Sequence, residues 1–448
     1  MPIFTRRQLQ QMLNELGPWL QRDKAKDLLK RLENRAPDQA LPAEYELALS
    51  WAVAKTASLE IDRPMGSRTP DIYSTDLLAS APLVVDVAAV DDVSLSGIAT
   101  MRRARNIINS TCDELRRRSS HSLYFTFGET SGYAPKGKRG PRFFRRRLVS
   151  PAFQMTPELR GALKTWLADE IPTQPLLLRN NEVSVTIAWR GCSHPFANIF
   201  CAMPSLAYDL RENPLFRVLK EKSKQLRDAP AGVRRAIFLG NAGCRLLDEL
   251  GSSRPSHNTY SGGQIIMEFL EYDRSIDFVF VFRVERQRSF GVLPSHSRVW
   301  RSRAFSLVPL LPGDYARLDE LQCQLPPPYL SGYEAHSWHE QEMCGSDARG
   351  RYLGSNMTTG NTRTTMRFSA LALQELMAGR ISAERFGQIV WGRDGNRVLG
   401  ELASGRTISD IRFESEGINE DDDYVVVEFR LDPAAAKFKM PSKLKPEP

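Results

Sequence analysis

Two aspartates in the first quarter of the chain could together perform metal-dependent chemistry. Asp71 follows Pro70 at the start of a short extended segment, and Asp86 lies inside the apolar, β-branched run at 84–90. A carboxylate in such a strand is costly unless it is paired or binds a cation. Two carboxylates brought to neighbouring strands could hold a divalent metal ion through oxygen ligands. The alternative is that Asp86 faces water at a strand edge and that Asp71 caps a turn.

Positive charge is concentrated in the window that follows these aspartates. The 448 residues carry a net charge of +8, whereas residues 102–147 hold thirteen Lys and Arg against three acids, a net charge of +10. A basic patch beside a candidate acidic site favours a polyanion ligand, and we expect nucleic acid, specifically DNA. The alternative is a solubilising surface. The candidate nucleic-acid-binding residues are Arg102, Arg103, Arg116, Arg117, Lys136, Lys138, Arg139, Arg145, Arg146 and Arg147.

The rest of the composition is that of a globular protein. Apolar residues make up 42% of the chain, which is enough for sizeable cores. The N-terminus lacks the apolar core of a secretory signal, and no apolar run approaches the roughly 20 residues that a membrane helix needs. The six cysteines form no CxxC pair, which is typical of reduced thiols. We therefore expect a cytoplasmic protein that does not bind a membrane.

Hydrophobic periodicity predicts the order of the domains. Residues 1–42 form an N-terminal helical segment, and a third helix is expected to open at Pro42. Strands alternating with helices over 43–310 predict an α/β core with a mixed central sheet flanked by helices, in which 128–142 is a loop. Pro-rich residues 307–328 mark a boundary before a smaller α+β C-terminal region at 329–435. This region could pack on the core, form a homo-oligomer or bind a partner protein, and the basic tail at 436–448 is expected to be disordered.

The order of the acidic residues resembles the PD-(D/E)xK nuclease superfamily, which has a restriction-endonuclease-like fold. The matching parts are a helix glutamate, Glu46 or Glu44, then Pro70-Asp71, and then Asp86 on an apolar strand. The resemblance implies that Glu46, Asp71 and Asp86 bind Mg²⁺ (or Mn²⁺) and take part in phosphodiester hydrolysis. It covers residues 43–90 with motifs and extends to about 305 as an order of elements. The alternative for both glutamates is a favourable position in the first turn of a helix, near the positive end of its dipole.

The lysine of the family pattern is absent. In the family it stands two residues after the strand acid, where this chain has Ala88. Some members present a Lys/Gln pair from a helix beside the metal site. Lys222 and Gln225, three residues apart on one face of a predicted helix, are the candidates for that role here. The alternative for Lys222 is a solvated lysine on a helix surface.

Three functions are compatible with these features. The first is a metal-dependent endonuclease, which the resemblance would associate with bacterial defence or a mobile element. The second is a catalytically inactive, nuclease-like subunit that binds nucleic acid or serves in assembly, and the absent lysine supports it. The third is a protein-interaction scaffold whose basic face binds an acidic partner.

Overall fold

The computed structural model describes most of the chain: residues 3–34, 36–92, 98–117, 119–137, 140–190, 199–200, 207, 209–251, 259–289, 295–339, 352–391 and 397–434. The chain forms two compact units. The first comprises Met1–Phe4 and Leu9–Met343, and the second comprises Thr5–Gln8 and Cys344–Pro448. Over the described ranges, no helix is both long enough and apolar enough to cross a membrane.

Helices and strands alternate along the first 343 residues. The helices are α1 (Arg6–Leu16), α2 (Arg22–Leu32), α3 (Pro37–Thr56), α4 (Ile98–Leu115), α5 (Pro157–Trp166), α6 (Pro214–Gln225), α7 (Arg245–Asp248), α8 (Gly262–Tyr272), α9 (Pro312–Gln324) and α10 (Gly332–His339). The strands are β1 (Glu60–Ile61), β2 (Ile72–Ser74), β3 (Leu83–Val90), β4 (Leu123–Phe127), β5 (Glu129–Gly137), β6 (Gly140–Arg147), β7 (Leu176–Arg179), β8 (Ser184–Trp189), β9 (Ile199–Phe200), β10 (Arg234–Asn241), β11 (Phe278–Ser289) and β12 (Ser295–Ser306).

A mixed sheet of six strands, flanked by helices, lies at the centre of the first unit. Its order is β1-β2-β3-β10-β11-β12, with β3, β10 and β11 parallel and the outer pairs antiparallel. This architecture confirms the predicted α/β class and mixed sheet. Parallel strands covered on both faces are apolar along their whole length. In β3 alternate residues therefore enter two cores: Val85 and Val87 pack with α3, whereas Val84 and Ala88 pack with α6 and α8.

Helix α3 is buried along most of its length. It begins at Pro37, so the prediction that it opens at Pro42 was wrong. Proline suits the first helical position because its fixed φ is helical and no N–H is needed there. Pro42 lies inside the helix and removes one hydrogen bond. Burial of α3 against the sheet outweighs this loss.

A second layer is inserted between β3 and α6 and has its own core. Its four-stranded sheet has the order β7-β8-β4-β9, and α4 and α5 contribute to the apolar cluster packed on it. The predicted loop at 128–142 was wrong, because β5 and β6 form an antiparallel hairpin there. Gly137 pairs with Gly140 at its end, while Tyr133 pairs with Phe143. Aromatic residues favour strands, and glycines favour the turn between them.

The first unit ends after Met343, later than the boundary predicted at 307–328. Helices α9 and α10 follow the Pro-rich stretches, and both pack against α3. Leu318 and Leu321 of α9 enter the same core as α3. The prolines therefore mark the ends of helices rather than the end of a domain.

The described part of the second unit contains an antiparallel sheet and three helices. The sheet has the order β13-β14-β16-β15, and helices cover one of its faces around a core that includes Phe368, Val425 and Phe429. The described elements after Met343 are β13 (Asn356–Thr359), β14 (Arg363–Ser369), α11 (Ala370–Met377), α12 (Ala383–Trp391), α13 (Arg397–Ala403), β15 (Arg406–Ser415) and β16 (Asp423–Leu431). The predicted tail at 436–448 lies outside the described residues.

Candidate active site

Asp86 is a buried carboxylate in the middle of the central sheet. It lies on β3 opposite Ile237 of the parallel strand β10, and 2% of its surface is exposed. It alternates with Val85 and Val87, so its side chain is on the face of β3 that is covered by α6. The reading of Asp86 as a water-facing acid at a strand edge therefore does not hold.

Lys222 is the cation that meets Asp86. Its Nζ donates a hydrogen bond to Asp86 Oδ1, and it also donates to Gln225 Oε1 at 3.1 Å. Helix α6 begins at Pro214 after Asn213, whose side chain accepts a hydrogen bond from Phe216 N at 2.8 Å. The structure thus brings Lys222 to the strand acid from a helix far along the chain, and Gln225 contacts Lys222.

The inward orientation of Lys222 has a signal in the sequence. Leu215 and Leu219 are buried against the sheet, and Lys222 continues their spacing of three and four residues. A lysine at such a position is carried toward the core rather than into solvent. Burial alone would lower the pKa of Lys222, but the Asp86 and Asp71 carboxylates outweigh this effect and raise it above its ordinary value.

Asp71 lies beside Asp86 because of the antiparallel pairing of β2 with β3. Ile72 pairs with Val85, so the residue before Ile72 reaches the middle of β3. Asp71 Oδ2 accepts a hydrogen bond from Val87 N at 2.8 Å, and the Asp71 carboxylate is close enough to Asp86 to raise the pKa of that group. We call Asp71 and Asp86 the carboxylate pair.

The Asp86 carboxyl group has a pKa above its ordinary value because of its surroundings. Burial raises the pKa of Asp86 to about 8, and the neighbouring Asp71 carboxylate adds to the rise, whereas the Lys222 ammonium opposes it. Burial and a like charge both disfavour an ionised carboxylate. A cation placed between the two groups would relieve both effects.

Glu44 and Glu46, which sequence could not separate, have different environments. Glu44 is fully buried, and its Oε2 accepts hydrogen bonds from Ile3 N at 2.9 Å and Phe4 N at 3.2 Å. Glu44 therefore holds the N-terminal residues. Glu46 is directed to the carboxylate pair through Lys24, which contacts both Glu46 Oε1, at 2.6 Å, and Asp71 Oδ1, at 3.8 Å.

Lys24, Arg31 and Asp62 belong to this network, and sequence reasoning missed all three. Lys24 Nζ lies 2.8 Å from Asp62 Oδ1, and Arg31 Nη2 lies 2.7 Å from Glu46 Oε2. The same kind of signal was available for Lys24 as for Lys222. Lys24 stands four residues before the buried Leu28 on the inward face of α2.

The carboxylate pair fits one magnesium ion better than the predicted three-carboxylate set does. Mg²⁺ in proteins is typically held by one or two carboxylates, with water and substrate phosphate completing its shell. Asp71 and Asp86 supply such a pair, whereas Glu46 is bonded to both Lys24 and Arg31. Among the residues that the structure describes, no group of three or more His, Cys, Asp or Glu side chains is positioned to hold a metal ion.

The predicted basic residues do not form one uniform surface. On and just after α4, Arg103 and Arg117 are exposed and Arg102 is half-buried. Arg116 instead donates to Asp169 O at 2.9 Å and Glu170 O at 2.8 Å, and it lies over the Trp189 ring.

The remaining basic candidates lie on or near the hairpin β5–β6. Arg147 is largely buried and contacts Glu129 at 3.3 Å, so it supports the hairpin. Lys136, Arg145 and Arg146 lie on its two strands, and Lys138 and Arg139 lie outside the described residues.

We compared the chain with family models, curated proteins and solved structures. No family model, curated protein or solved structure matches the chain.

Proposed function

We propose that the protein is a metal-dependent nuclease that hydrolyses phosphodiester bonds in DNA at the Asp71–Asp86 carboxylate pair. The observation that carries the proposal is the convergence of Asp71, Asp86 and Lys222 from three distant parts of the chain. Two adjacent acids can hold a metal ion, and an ammonium beside them can stabilise negative charge on a phosphate, as metal-assisted phosphoryl transfer uses.

The order of elements supports a restriction-endonuclease-like core for this activity. An acidic helix, α3, is followed by the Pro70-Asp71 step and by the strand that carries Asp86. Strand β3 then pairs in parallel with β10, which directly follows the helix carrying Lys222. In this proposal Lys222 takes the role of the lysine that is absent at Ala88.

Each residue of the site has a distinct role in the proposed reaction. Asp71 and Asp86 would hold Mg²⁺ (or Mn²⁺), which when bound polarises the phosphate and acidifies a water. Val87 N orients Asp71, and Lys222 orients Asp86. Because Lys222 keeps its positive charge beside the pair, it is suited to stabilise negative charge on the phosphate. Gln225 limits the rotation of Lys222 through its hydrogen bond.

Cleavage of supercoiled plasmid DNA with Mg²⁺ or Mn²⁺ tests the proposal. We expect the wild type to nick the plasmid. Asp71→Asn and Asp86→Asn should each lose more in rate than the roughly 10–100-fold that is typical of losing a residue that only supports a metal ligand. Asp319→Asn is the matched control because Asp319 is an exposed carboxylate on α9. Full activity in both site variants, with folding verified by circular dichroism, would contradict the assignment.

One observation favours a second candidate, a nuclease-like subunit that binds nucleic acid without cleaving it. The ammonium groups of Lys24 and Lys222 already contact Glu46, Asp62 and Asp86, so much of the site's negative charge is compensated without a metal. In the plasmid experiment this candidate would give a salt-sensitive shift in mobility and no nicking with either metal.

A further inference from the structure

Strand β15 forms one edge of the sheet in the second unit, and it exposes apolar side chains. It pairs with β16 on one side, and no other strand of the described residues pairs with its outer side. Ile411 lies opposite Val427, and Phe413 lies opposite Val425. Both valines belong to the core beneath the helices, so Ile411 and Phe413 share this face of the sheet. They are nevertheless exposed to 57% and 67%, which leaves an apolar shelf beside the core.

We propose that β15 is a homodimer interface, in which the β15 strands of two chains pair antiparallel about a two-fold axis at Phe413. The two sheets would then form one continuous sheet. An edge strand offers unpaired N–H and C=O groups for such pairing, and a two-fold axis lets the same surface of each chain bind the other. The inference does not depend on the proposed nuclease activity.

The charges of β15 match those of a second copy in this register. On the face opposite the helices, Asp410, Arg412 and Glu414 alternate as acid, base and acid. Pairing about Phe413 places Arg412 of each chain directly opposite Glu414 of the other, which is an attractive cross-strand pair. An axis at Arg412 would instead oppose the two arginines and set Asp410 against Glu414. Like charges directly opposite each other destabilise a sheet.

The irregular part of β15 lies outside the proposed interface. The pairing of β15 with β16 shifts register between Ile408 and Asp410, which is typical of a β-bulge. With the axis at Phe413, the paired strand residues are 411–415, beyond the bulge. An axis at Ile411 would also oppose an acid to the arginine, but it would carry the bulge into the paired stretch. The regular stretch and the charge pattern together therefore select the axis at Phe413.

The same register buries the apolar shelf of both chains. The two Phe413 rings meet at the axis, where directly opposite residues have Cβ atoms about 5 Å apart. Ile411 of each chain lies diagonally beside Phe413 of the other, within reach of an aromatic ring. Burial of these side chains supplies the hydrophobic contribution that a purely polar edge strand lacks.

Sedimentation equilibrium of the full chain tests the interface without an activity measurement. We expect a dimer for the wild type and at least about 100-fold weaker self-association for Phe413→Lys, because two buried rings are lost and two ammonium groups meet at the axis. Ile171→Lys is the matched control, since Ile171 is also 67% exposed but belongs to the first unit. A monomeric wild type, or a Phe413→Lys variant that associates as the control does, would overturn the inference.

A cysteine at the axis tests the register separately. Phe413→Cys should form a disulfide between two chains under mild oxidation, because directly opposite residues have Cα atoms about 4.5–5.5 Å apart, within the reach of a disulfide. Ile408→Cys, on the same strand but far from its own copy in this register, should not. Peptide mapping assigns each disulfide to its position. A disulfide at position 408, or none at position 413, contradicts the axis at Phe413.

Discussion

Lys222 donates a hydrogen bond to Asp86 across a separation of 136 residues in the chain. The contact joins the helix before β10 to the strand beside β10, so it forms only when the parallel pair β3–β10 is assembled. Lys222 thereby contacts the strand acid from the helix, whereas position 88, where a strand lysine would have been expected, is alanine. Ala88 lies on the same face of β3 as Asp86, the face that packs against α6 and α8.

Removal of the Lys222 ammonium should impair cleavage more than metal binding. We expect Lys222→Met to lower the rate of plasmid nicking about 100-fold or more, which is typical of losing one group that stabilises transition-state charge. Mn²⁺ affinity should not fall, since both acids of the carboxylate pair remain. The exposed Lys224→Met on the same helix is the control. Unchanged nicking by Lys222→Met would remove Lys222 from the proposed mechanism.

Asp248 should make the free energy of unfolding depend on pH. Burial raises the pKa of Asp248 from 3.8 to about 6, with Arg283 opposing the rise and Asp92 adding to it. The folded state therefore binds the proton more tightly than the unfolded state. Its stabilising contribution is complete below pH 3.8 and is lost as the pH rises through about 6.

Asp248→Asn isolates this contribution, because it removes the titrating group while Asn241, which donates to Asp248 Oδ1 at 2.7 Å, keeps an acceptor. Between pH 3.8 and about 6, we expect the free energy of unfolding of the wild type to fall relative to that of the variant by up to about 3 kcal/mol. Denaturant titrations at a series of pH values measure it. Parallel curves for the two proteins would show that Asp248 titrates normally.

The exposed arginines on and just after α4 should control affinity for DNA, whereas Arg116 should control stability. We expect Arg103→Gln and Arg117→Gln each to reduce the slope of log affinity against log salt by about 1, as for one lost phosphate contact. Arg116→Gln should lower the melting temperature and leave the slope nearly unchanged, because Arg116 is bonded to two backbone carbonyls. Binding curves at several salt concentrations distinguish the two cases. Equal slopes for all the proteins would exclude this face from DNA binding.

Substitution by alanine should change stability in opposite directions at two helical glycines. A Cβ at Gly262 would lie 1.8 Å from Leu246 O, whereas a Cβ at Gly161 has no neighbour within 4 Å. We expect Gly262→Ala to destabilise the first unit by about 3 kcal/mol through overpacking against backbone. Gly161→Ala should stabilise α5 by about 0.5–1 kcal/mol, because alanine has the better helix propensity. Thermal unfolding of both variants provides the comparison, and a tolerated Gly262→Ala would contradict the close approach of α8 to Leu246.

Local patterns in the sequence were sufficient for the class of the fold and for the central strand. The run around Asp86 is apolar and β-branched, and strands alternate with helices on either side of it, which predicts a mixed α/β sheet. These properties depend on neighbouring residues, so they can be read without knowledge of distant contacts. The same logic failed at Pro42 and at 128–142, where packing of α3 and pairing of two strands outweighed the local signals of proline and glycine.

The sequence by itself predicted that Asp71 and Asp86 could be brought together at neighbouring strands, because a short connection joins the two extended segments. Only the tertiary structure decided which cations they meet and which of Glu44 and Glu46 turns toward them. Lys24 and Lys222 lie on helices that pack from different directions, and each continues an apolar stripe that sequence alone reads as core. A lysine at such a position is buried only if a carboxylate forms an ion pair with its ammonium group. That condition is met by the packing of α2 and α6 around the central sheet.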